Sequence, residues 1–332
     1  MTAQPCVYAT SGWGIHDDRW TAALRSLDFE PRIVRLGIDV QDGDELRDSV
    51  TGLSDGGFPV LAGPLDTVTN HLRGLPTRVI GLSWGFDIHQ MDDRNWLGEL
   101  DALVIDSAAT AELVEQAGVQ PAAITFLPWG VEVDSFTPTG PRADLTPFGI
   151  PSNARTLLSL RAHEPLYRVA DIIDAFALAS RRIPDLHLII GHTGALTEQL
   201  QQRAADLEIA DRTHFIGTIA ERELPPLLRA CDVYVSASEV DGTSVTLLQA
   251  MACGTPVVVS DTPGNRAWVS EGRTGYLFAS GDASDLARVL ECELTRPELE
   301  VYAITAAALR LVAQEADWRA NTPRLVRALT GA

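Results

Sequence analysis

The chain has 332 residues, with 26 basic and 45 acidic side chains and a net charge of −19 at pH 7. All 26 basic residues are arginine, so the sequence contains no lysine. Walker A ATPases, pyridoxal phosphate enzymes and protein kinases are excluded, because each of these sites requires a lysine. The negative charge argues against a general nucleic-acid binder, which needs a basic surface.

The cysteines and the amino-terminal residues indicate the compartment. Cys6, Cys231 and Cys253 lie in apolar runs, and no two of the four cysteines have a C-x-x-C spacing. We therefore expect buried free thiols in a reducing environment. The first residues lack the basic and apolar regions of a signal peptide, and no apolar run approaches the ~20 residues of a membrane span. A cytoplasmic protein without a transmembrane segment is expected.

Short apolar runs alternate with amphipathic segments along the chain, a pattern that predicts βαβ units with parallel sheets. In the first half, strands are predicted at residues 6–11, 32–36, 59–63, 78–83, 102–106 and 124–128, and helices at 18–27, 67–72 and 109–117. In the second half, strands are predicted at 156–160, 187–190, 214–216, 233–236, 256–260 and 275–278, and helices at 169–180, 197–207, 224–230 and 245–252.

Proline and glycine are dense around residues 128–151, which indicates a connection between two domains. The sequence therefore predicts an amino-terminal Rossmann-like domain at 1–135, a proline-rich linker at 136–153, and a carboxy-terminal Rossmann-like domain at 154–315. A final helix at 316–332 could return to the first domain. Ligands of doubly wound sheets bind outside the carboxyl ends of the strands. We therefore expect a site in a cleft between the two domains.

The first strand is followed by a Gly-x-Gly pattern, Gly12-Trp13-Gly14. Such glycines let the backbone approach a phosphate or a sugar, but Asp17 occupies the position of the third glycine in dinucleotide-binding proteins. Two interpretations stay open: contact with a ligand, or a tight turn alone. Asp17 and the next residue, Asp18, are expected to be solvated at a helix start, where they complement the helix dipole.

The most informative segment runs from Ser236 to residue 258. A strand ends at Ser236, and a helix is predicted to begin at Thr243 or Ser244 and to end before Gly254. Free amide groups at 242–245 would form an anion site, as a chain without lysine requires. Asp241 would face the same crevice, and Gln249, one turn into the helix, could reach a ribose diol.

This segment resembles the donor-binding signature of retaining glycosyltransferases of family 4, the glycosyl transferases group 1. In that family a Glu-x7-Glu pattern precedes Ala-Met-Ala-x-Gly-x-Pro-Val, and here the second part reads Ala-Met-Ala-Cys-Gly-Thr-Pro-Val at 250–257. Weaker similarities follow in the family's order at 15–36, 81–88, 127–136, 159–161, 232–236, 265–266 and 274–277, so the resemblance covers nearly the whole chain.

The resemblance implies an α/β protein of the GT-B fold, with two Rossmann-like doubly wound domains facing a central cleft. It further implies a metal-independent enzyme that moves a sugar from a UDP-, GDP- or ADP-sugar to an acceptor hydroxyl, with retention at the anomeric carbon. No cofactor is expected beyond this co-substrate, and no nucleic-acid partner.

Carried over by position, the resemblance assigns catalytic roles to Trp84, Asp87, Arg161 and Asp241. It assigns donor binding to Gly12, Gly14, Arg168, Gly217, Gly242, Thr243, Ser244, Val245 and Gln249. Asp241 and Gln249 replace the family's two glutamates, and Trp84 replaces a histidine. The family's phosphate-binding lysine is Leu166 here, with Arg168 as a substitute.

Several alternatives remain open at this point. The protein could be a catalytically degenerate GT-B sugar-nucleotide-binding protein, or a sugar-nucleotide epimerase on the same architecture. Trp84 and Trp129 could stack an acceptor ring or simply pack at the domain boundary. His163 is either a cleft residue or a structural one. His187 and His192 lack a third ligand at metal spacing, which favours a structural role over zinc.

Overall fold

The computed structural model describes residues 3–84 and 87–331. Two compact units divide these residues, and each is built on a parallel six-stranded sheet. Unit 1 takes in the described residues up to Trp129 together with those from Arg319 onward, and unit 2 runs from Gly130 to Trp318.

Unit 1 has the strand order β2-β1-β3-β4-β5-β6. Its strands are β1 (Gln4–Ser11), β2 (Phe29–Leu36), β3 (Val60–Ala62), β4 (Val79–Leu82), β5 (Ala102–Ile105) and β6 (Ile124–Phe126). Its helices are α1 (Ile15–Ser26), α2 (Gly43–Leu53), α3 (Asp87–Gln90), α4 (Ala108–Gln116) and, at the carboxyl end of the chain, α12 (Trp318–Asn321, which begins in unit 2) and α13 (Arg324–Thr330).

Unit 2 has the strand order β12-β11-β10-β7-β8-β9. Its strands are β7 (Arg155–Ser159), β8 (Leu186–Gly191), β9 (Thr213–Gly217), β10 (Val233–Ser236), β11 (Val257–Ser260) and β12 (Tyr276–Phe278). Its helices are α5 (Val169–Ala179), α6 (Thr197–Asp206), α7 (Leu224–Ala230), α8 (Val245–Ala252), α9 (Pro263–Arg266), α10 (Ala283–Leu294) and α11 (Glu298–Glu315).

The sheet of unit 2 has an apolar core on each face. Leu157 and Val233 belong to one core, whereas their chain neighbours Leu158 and Tyr234 belong to the other. This alternation is the two-residue period of a strand, and apolar burial on both faces explains why the strands read as continuous apolar runs. Each buried aliphatic side chain contributes about 1.5–3 kcal/mol relative to exposure.

The twelve predicted strands all occur, each shifted by at most three residues at either end. Several helical segments differ from the prediction, and the final helix expected at 316–332 is divided at Pro323 into α12 and α13. Helix α2, which the apolar pattern did not reveal, begins after the cap residue Asp42, whose side chain accepts hydrogen bonds from the amides of Asp44 and Glu45. Residues 67–72, predicted as an α-helix, contain only a short 3₁₀ helix.

The segment predicted as a linker, 136–153, packs within unit 2 instead. Phe136 and Ile150 are buried in one of its cores, because apolar side chains between the prolines can still reach the core. The chain passes from one unit to the other at Trp129 and Gly130. Among the described residues, no helix is both long and apolar enough to cross a membrane.

Candidate functional site

The strand order of unit 2 places a crevice at its centre. Counted from its own first strand, the order is 3-2-1-4-5-6, and the direction of winding reverses between β7 and β10. The connections after these two strands therefore leave in opposite directions, and ligands of such sheets bind in the crevice that results. The loop after β7 carries Arg161, and the loop after β10 carries Asp241.

Arg161 connects the two loops. Its Nη2 lies 2.9 Å from Asp241 Oδ2, and its Nη1 donates a hydrogen bond of 2.7 Å to Ser244 Oγ. The guanidinium carbon lies 4.2 Å from the ring centroid of Tyr167. Arg161 is only 9% exposed, so its charge depends on these partners. Tyr167 was not among the predicted residues, although it lies in the same loop as Arg161.

The charge of Arg161 is set by two opposing effects. Burial is the largest single effect and acts to lower the pKa of its guanidinium, but the Asp241 carboxylate together with Tyr234 and Tyr167 raises the pKa overall. The site therefore holds a permanent cation, balanced by a carboxylate of the same crevice. A diphosphate reaching this guanidinium would compete with Asp241, and it would gain charge-assisted hydrogen bonds in a planar, bidentate geometry.

Helix α8 begins at the same place. Ser244 is its N-cap and accepts a hydrogen bond from the amide of Leu247. The first-turn amides of any helix have no partner within the helix, and the helix dipole adds partial positive charge there. The predicted residues Gly242, Thr243, Ser244 and Val245 therefore bring an anion-binding helix start next to the Arg161 guanidinium.

Gly264 of α9 packs directly against the backbone of the loop that carries Asp241. A Cβ atom added to Gly264 would lie 2.0 Å from the carbonyl oxygen of Asp241 and 2.4 Å from that of Gly242. Helix α9 can therefore touch this loop only because residue 264 has no side chain. The sequence contains a signal for this packing, a glycine directly after Pro263 at a helix start, but it does not reveal the partner.

Several buried polar atoms around the crevice have no hydrogen-bond partner among the described residues. They are Oγ of Ser159 at the end of β7, Nε of Arg161, and Oε1 of Gln249 in α8. Buried polar groups are nearly always hydrogen-bonded, so this concentration is unusual for a packed interior. Water or a polar ligand would satisfy these atoms.

Other predicted residues of unit 2 lie outside this constellation. Arg168, in the left-handed region at φ 48°, pairs with Asp171 at 2.7 Å. Gly217, at φ 70°, ends β9, and its carbonyl accepts a hydrogen bond from the amide of His192. His163 is buried, and its Nδ1 lies 2.8 Å from Thr197 Oγ1. Roles for these residues stay predictions.

The histidines considered for a metal do not come together as a pair. His187 lies beside His214 of the neighbouring strand, with Nδ1 and Nε2 2.9 Å apart, and not beside His192. Within the described ranges, 3–84 and 87–331, no group of three or more His, Cys, Asp or Glu side chains could hold a metal ion.

The corresponding crevice of unit 1 lies between β1 and β3, where its own winding reverses. Gly12 follows β1 at φ 73°, and Gly14 is the N-cap of α1. The expectation that Asp17 is solvated is wrong. Its carboxylate is buried and accepts hydrogen bonds from Tyr8 Oη, Thr10 Oγ1 and the amide of Gly14, which together replace water.

Four aromatic side chains of unit 1 pack against one another, and we call His16, Trp20, Trp84 and Trp129 the aromatic cluster. The His16 ring lies 4.3 Å from Trp129 and 5.9 Å from Trp84, measured between centroids. Trp20 lies 5.4 Å from Trp129. Burial, assisted by the nearby Arg19 cation, lowers the pKa of His16 to about 4, so the imidazole is neutral at pH 7.

Asp87 was predicted to be catalytic, and its carboxylate is held within unit 1. It accepts hydrogen bonds from the amides of Leu65 and Ile88 and from Ser83 Oγ. Burial raises its pKa, although these hydrogen bonds act in the opposite direction. Part of the neighbouring segment predicted to form the site, Gly85 and Phe86, lies outside the described residues.

Two doubly wound parallel sheets with these strand orders define a protein of the GT-B fold. The same fold occurs in Anabaena HepE in complex with UDP-glucose, with a TM-score of 0.80, 15% identity, and coverage of 99% of this chain and 100% of that one. It also occurs in a sucrose-phosphate synthase from Thermosynechococcus elongatus, with a TM-score of 0.80, 17% identity and 98% coverage of both chains.

Sequence comparison identifies the family. Residues 143–310 match the model of the glycosyl transferases group 1. A D-inositol 3-phosphate glycosyltransferase from Geodermatophilus obscurus is 32% identical over 246 residues, which cover 71% of this chain and 54% of the relative. The chain belongs to the glycosyl transferases group 1, as the resemblance indicated. It spans about half the length of the curated relatives it matches.

Proposed function

We propose that this protein transfers a sugar from a nucleoside diphosphate donor to an acceptor hydroxyl, with retention at the anomeric carbon. The observation that carries the proposal is the buried Arg161 guanidinium, which lies beside the start of α8 at the winding reversal of unit 2. Family membership supports the proposal, as does HepE, whose structure contains UDP-glucose.

In the proposed reaction the donor diphosphate binds Arg161 and the first-turn amides of α8. The phosphate oxygens replace Asp241 as the ion-pair partner of the Arg161 guanidinium. The Asp241 carboxylate then becomes available to accept hydrogen bonds from sugar hydroxyls. Gln249 Oε1 accepts a hydrogen bond from the ribose. As the bond between the anomeric carbon and the diphosphate oxygen breaks, the acceptor oxygen bonds to that carbon on the same face, and the acceptor proton passes to the leaving phosphate oxygen. The negative charge that develops on the leaving oxygen lies next to the fixed cation and helix dipole.

A second candidate is a protein that binds sugar nucleotides without turnover. Two features favour it: by the resemblance Trp84 replaces a histidine of the family, and the Arg161 guanidinium is paired with Asp241. An epimerase, the third possibility, would convert the nucleotide sugar itself and would need no acceptor.

The proposal is tested with a panel of UDP-, GDP- and ADP-sugars. A bound donor raises the melting temperature by mass action, so thermal unfolding identifies the nucleotide. Incubation of that donor with hydroxyl acceptors, followed by proton NMR, should yield a glycoside with the anomeric configuration of the donor, both with and without EDTA. An inverted product would rule out retention, and loss of activity in EDTA would rule out metal independence. Binding without any product would favour the second candidate, and an epimerised donor the third.

A further inference from the structure

A separate cavity lies at the opposite edge of the unit 2 sheet from Arg161. It has a volume of about 880 Å³ and is lined by the amino ends of β7 and β10, by the carboxyl end of α8, and by α11. In a parallel sheet all amino ends share one edge, so this cavity is distant from the loops after β7 and β10. Its volume falls in the range of small-molecule sites.

The cavity is rich in arginine, although the chain as a whole is acidic. Arg142, Arg155, Arg229 and Arg296 line it, against the three carboxylates of Asp232, Glu293 and Glu298. Arg142 and Arg155 are exposed, and neither has a carboxylate partner among the described residues. Among the described residues, the Arg155 guanidinium donates one hydrogen bond, from Nη1 to the carbonyl of Leu294. These two guanidinium groups can therefore bind an anion.

A buried carboxylate in the wall of the cavity has an unused acceptor. Glu293 is 4% exposed, and its Oε2 accepts a hydrogen bond of 2.8 Å from Arg296 Nε. Its other oxygen, Oε1, has no hydrogen-bond partner among the described residues. The Arg296 guanidinium lies 4.4 Å from the Tyr276 ring centroid. Oε1 is enclosed by the protein, so a ligand hydroxyl reaches it only when the Glu293 carboxylate turns toward the cavity, and the gain is a partner for an unpaired buried oxygen.

Two further features of the lining concern the kind of ligand. An exposed tyrosine ring suits a partly apolar molecule, and the two cysteines do not favour covalent attachment. Tyr302 of α11 lines the cavity and is 70% exposed, an unusual state for a tyrosine ring. Cys231 and Cys253 also line the cavity, but burial raises their pKa values to about 12 and about 11. Both thiols are therefore protonated at pH 7 and are poor nucleophiles.

We propose that this cavity binds a phosphorylated sugar. The phosphate contacts Arg142 and Arg155, the Glu293 carboxylate turns toward the cavity so that Oε1 accepts a hydrogen bond from a ring hydroxyl, and the carbon face of the ring lies against Tyr302. This assignment does not depend on the proposed transferase activity, because none of its residues takes part in the crevice at Arg161.

Calorimetry with a panel of hexose and pentose monophosphates tests the proposal, with glucose and inorganic phosphate as partial ligands. We expect at least one sugar phosphate to bind with a Kd below 1 mM, and both partial ligands to bind at least tenfold more weakly. The double variant Arg142→Gln/Arg155→Gln should weaken binding at least thirtyfold. The control Arg310→Gln, an exposed arginine of α11 outside the cavity, should have no effect.

Three further variants separate the possible outcomes. Glu293→Gln should weaken binding of the sugar phosphate about tenfold but leave inorganic phosphate unchanged, and Tyr302→Ala, at an exposed position that folding does not need, should also weaken the sugar phosphate. Arg161→Ala should leave this binding intact. The proposal is overturned if no sugar phosphate binds with a Kd below 1 mM, if inorganic phosphate binds equally well, or if Arg161→Ala abolishes binding while the double arginine variant retains it.

Discussion

The two units place chemically different groups at equivalent positions. In both, the winding of the sheet reverses and opens a crevice outside the carboxyl ends of the strands. Unit 1 places His16 of the aromatic cluster after its first strand, whereas unit 2 places Arg161 of the Arg161–Asp241 ion pair after its own first strand. The strand order therefore determines where a ligand can bind, and the side chains determine what kind of ligand it is.

The same contrast appears in two carboxylates, the buried Asp17 and the partly buried Asp241. Asp17 in unit 1 is satisfied by two hydroxyl groups and an amide of its own unit, and it needs no counter-ion. Asp241 in unit 2 is neutralised by Arg161, and an incoming anion can take over that partner. A carboxylate with fixed neutral donors holds a turn in place, while one with an exchangeable cation can take part in binding.

The largest effect is expected from removing the cation of unit 2. Arg161→Ala should weaken binding of the nucleotide sugar at least a hundredfold, because it deletes the diphosphate partner and leaves the partly buried Asp241 without a counter-ion. Isothermal titration calorimetry measures the loss. The double variant Arg161→Ala/Asp241→Asn should recover part of the unfolding free energy but none of the affinity. Unchanged affinity in the single variant would remove Arg161 from the site.

A smaller effect is expected from adding a side chain at Gly264, which packs against the loop that carries Asp241. Gly264→Ala forces a Cβ against the Asp241 carbonyl and should destabilise the protein by about 1–3 kcal/mol in urea unfolding. It should also weaken nucleotide-sugar binding, since the loop must move. The matched control is Gly52→Ala in α2, where the space is open and stability should rise by about 0.5–1 kcal/mol. Equal effects of the two variants would contradict the role of Gly264.

The free energy of unfolding should depend on pH through His16 of the aromatic cluster. The pKa of His16 is about 4 in the folded protein and 6.5 in its ordinary state, so only the unfolded chain binds a proton between these values. Stability from His16 is therefore complete above pH 6.5 and falls as the pH drops toward 4, by up to about 3 kcal/mol.

Urea unfolding at pH 7.5 and pH 4.5 measures this dependence. His16→Phe should lose about 2 kcal/mol less stability over the interval than the unaltered protein does. His192→Asn is the control, because His192 is exposed and asparagine tolerates its left-handed backbone. An unaltered pH dependence in His16→Phe would show that His16 titrates normally.

The smallest effect concerns the neutral acceptor in α8. Gln249→Glu retains an oxygen at the ribose position and should change nucleotide affinity by no more than about threefold. Gln249→Leu removes the hydrogen bond and should cost about 1 kcal/mol, or roughly fivefold in Kd. The two variants are compared by calorimetry with the same nucleotide sugar. If leucine is tolerated as well as glutamate, the ribose contact is not made by this residue.

Much of the fold could be predicted from the sequence, because the strands of both sheets are buried on two faces and read as apolar runs. The start of α8 was also predictable, since Ser244 is a good N-cap residue. The ion pair between Arg161 and Asp241 was not. The resemblance gives Arg161 and Asp241 separate contacts with the donor. They pair in the structure because β7 and β10 are adjacent in the sheet.

Two other features depended on packing that the sequence does not encode locally. Dense prolines predict the absence of regular structure at 136–153, but the burial of Phe136 shows that irregular chain can belong to a core. Asp17 was expected to be solvated because acidic residues are common at helix starts. Its donors Tyr8 and Thr10 lie on the preceding strand, pointing toward it only once the turn has formed.

The division of unit 1 between the two ends of the chain has a consequence for synthesis. Helix α13 packs against β5 and β6, with Leu325 and Leu329 buried, and Arg78 Nε donates a hydrogen bond of 2.7 Å to the Ala328 carbonyl. A ribosome releases the amino-terminal residues first, and domains generally fold in that order. Here the unit that emerges first lacks its last helix until all of unit 2 has been made, so the first unit to begin folding is the last to be completed.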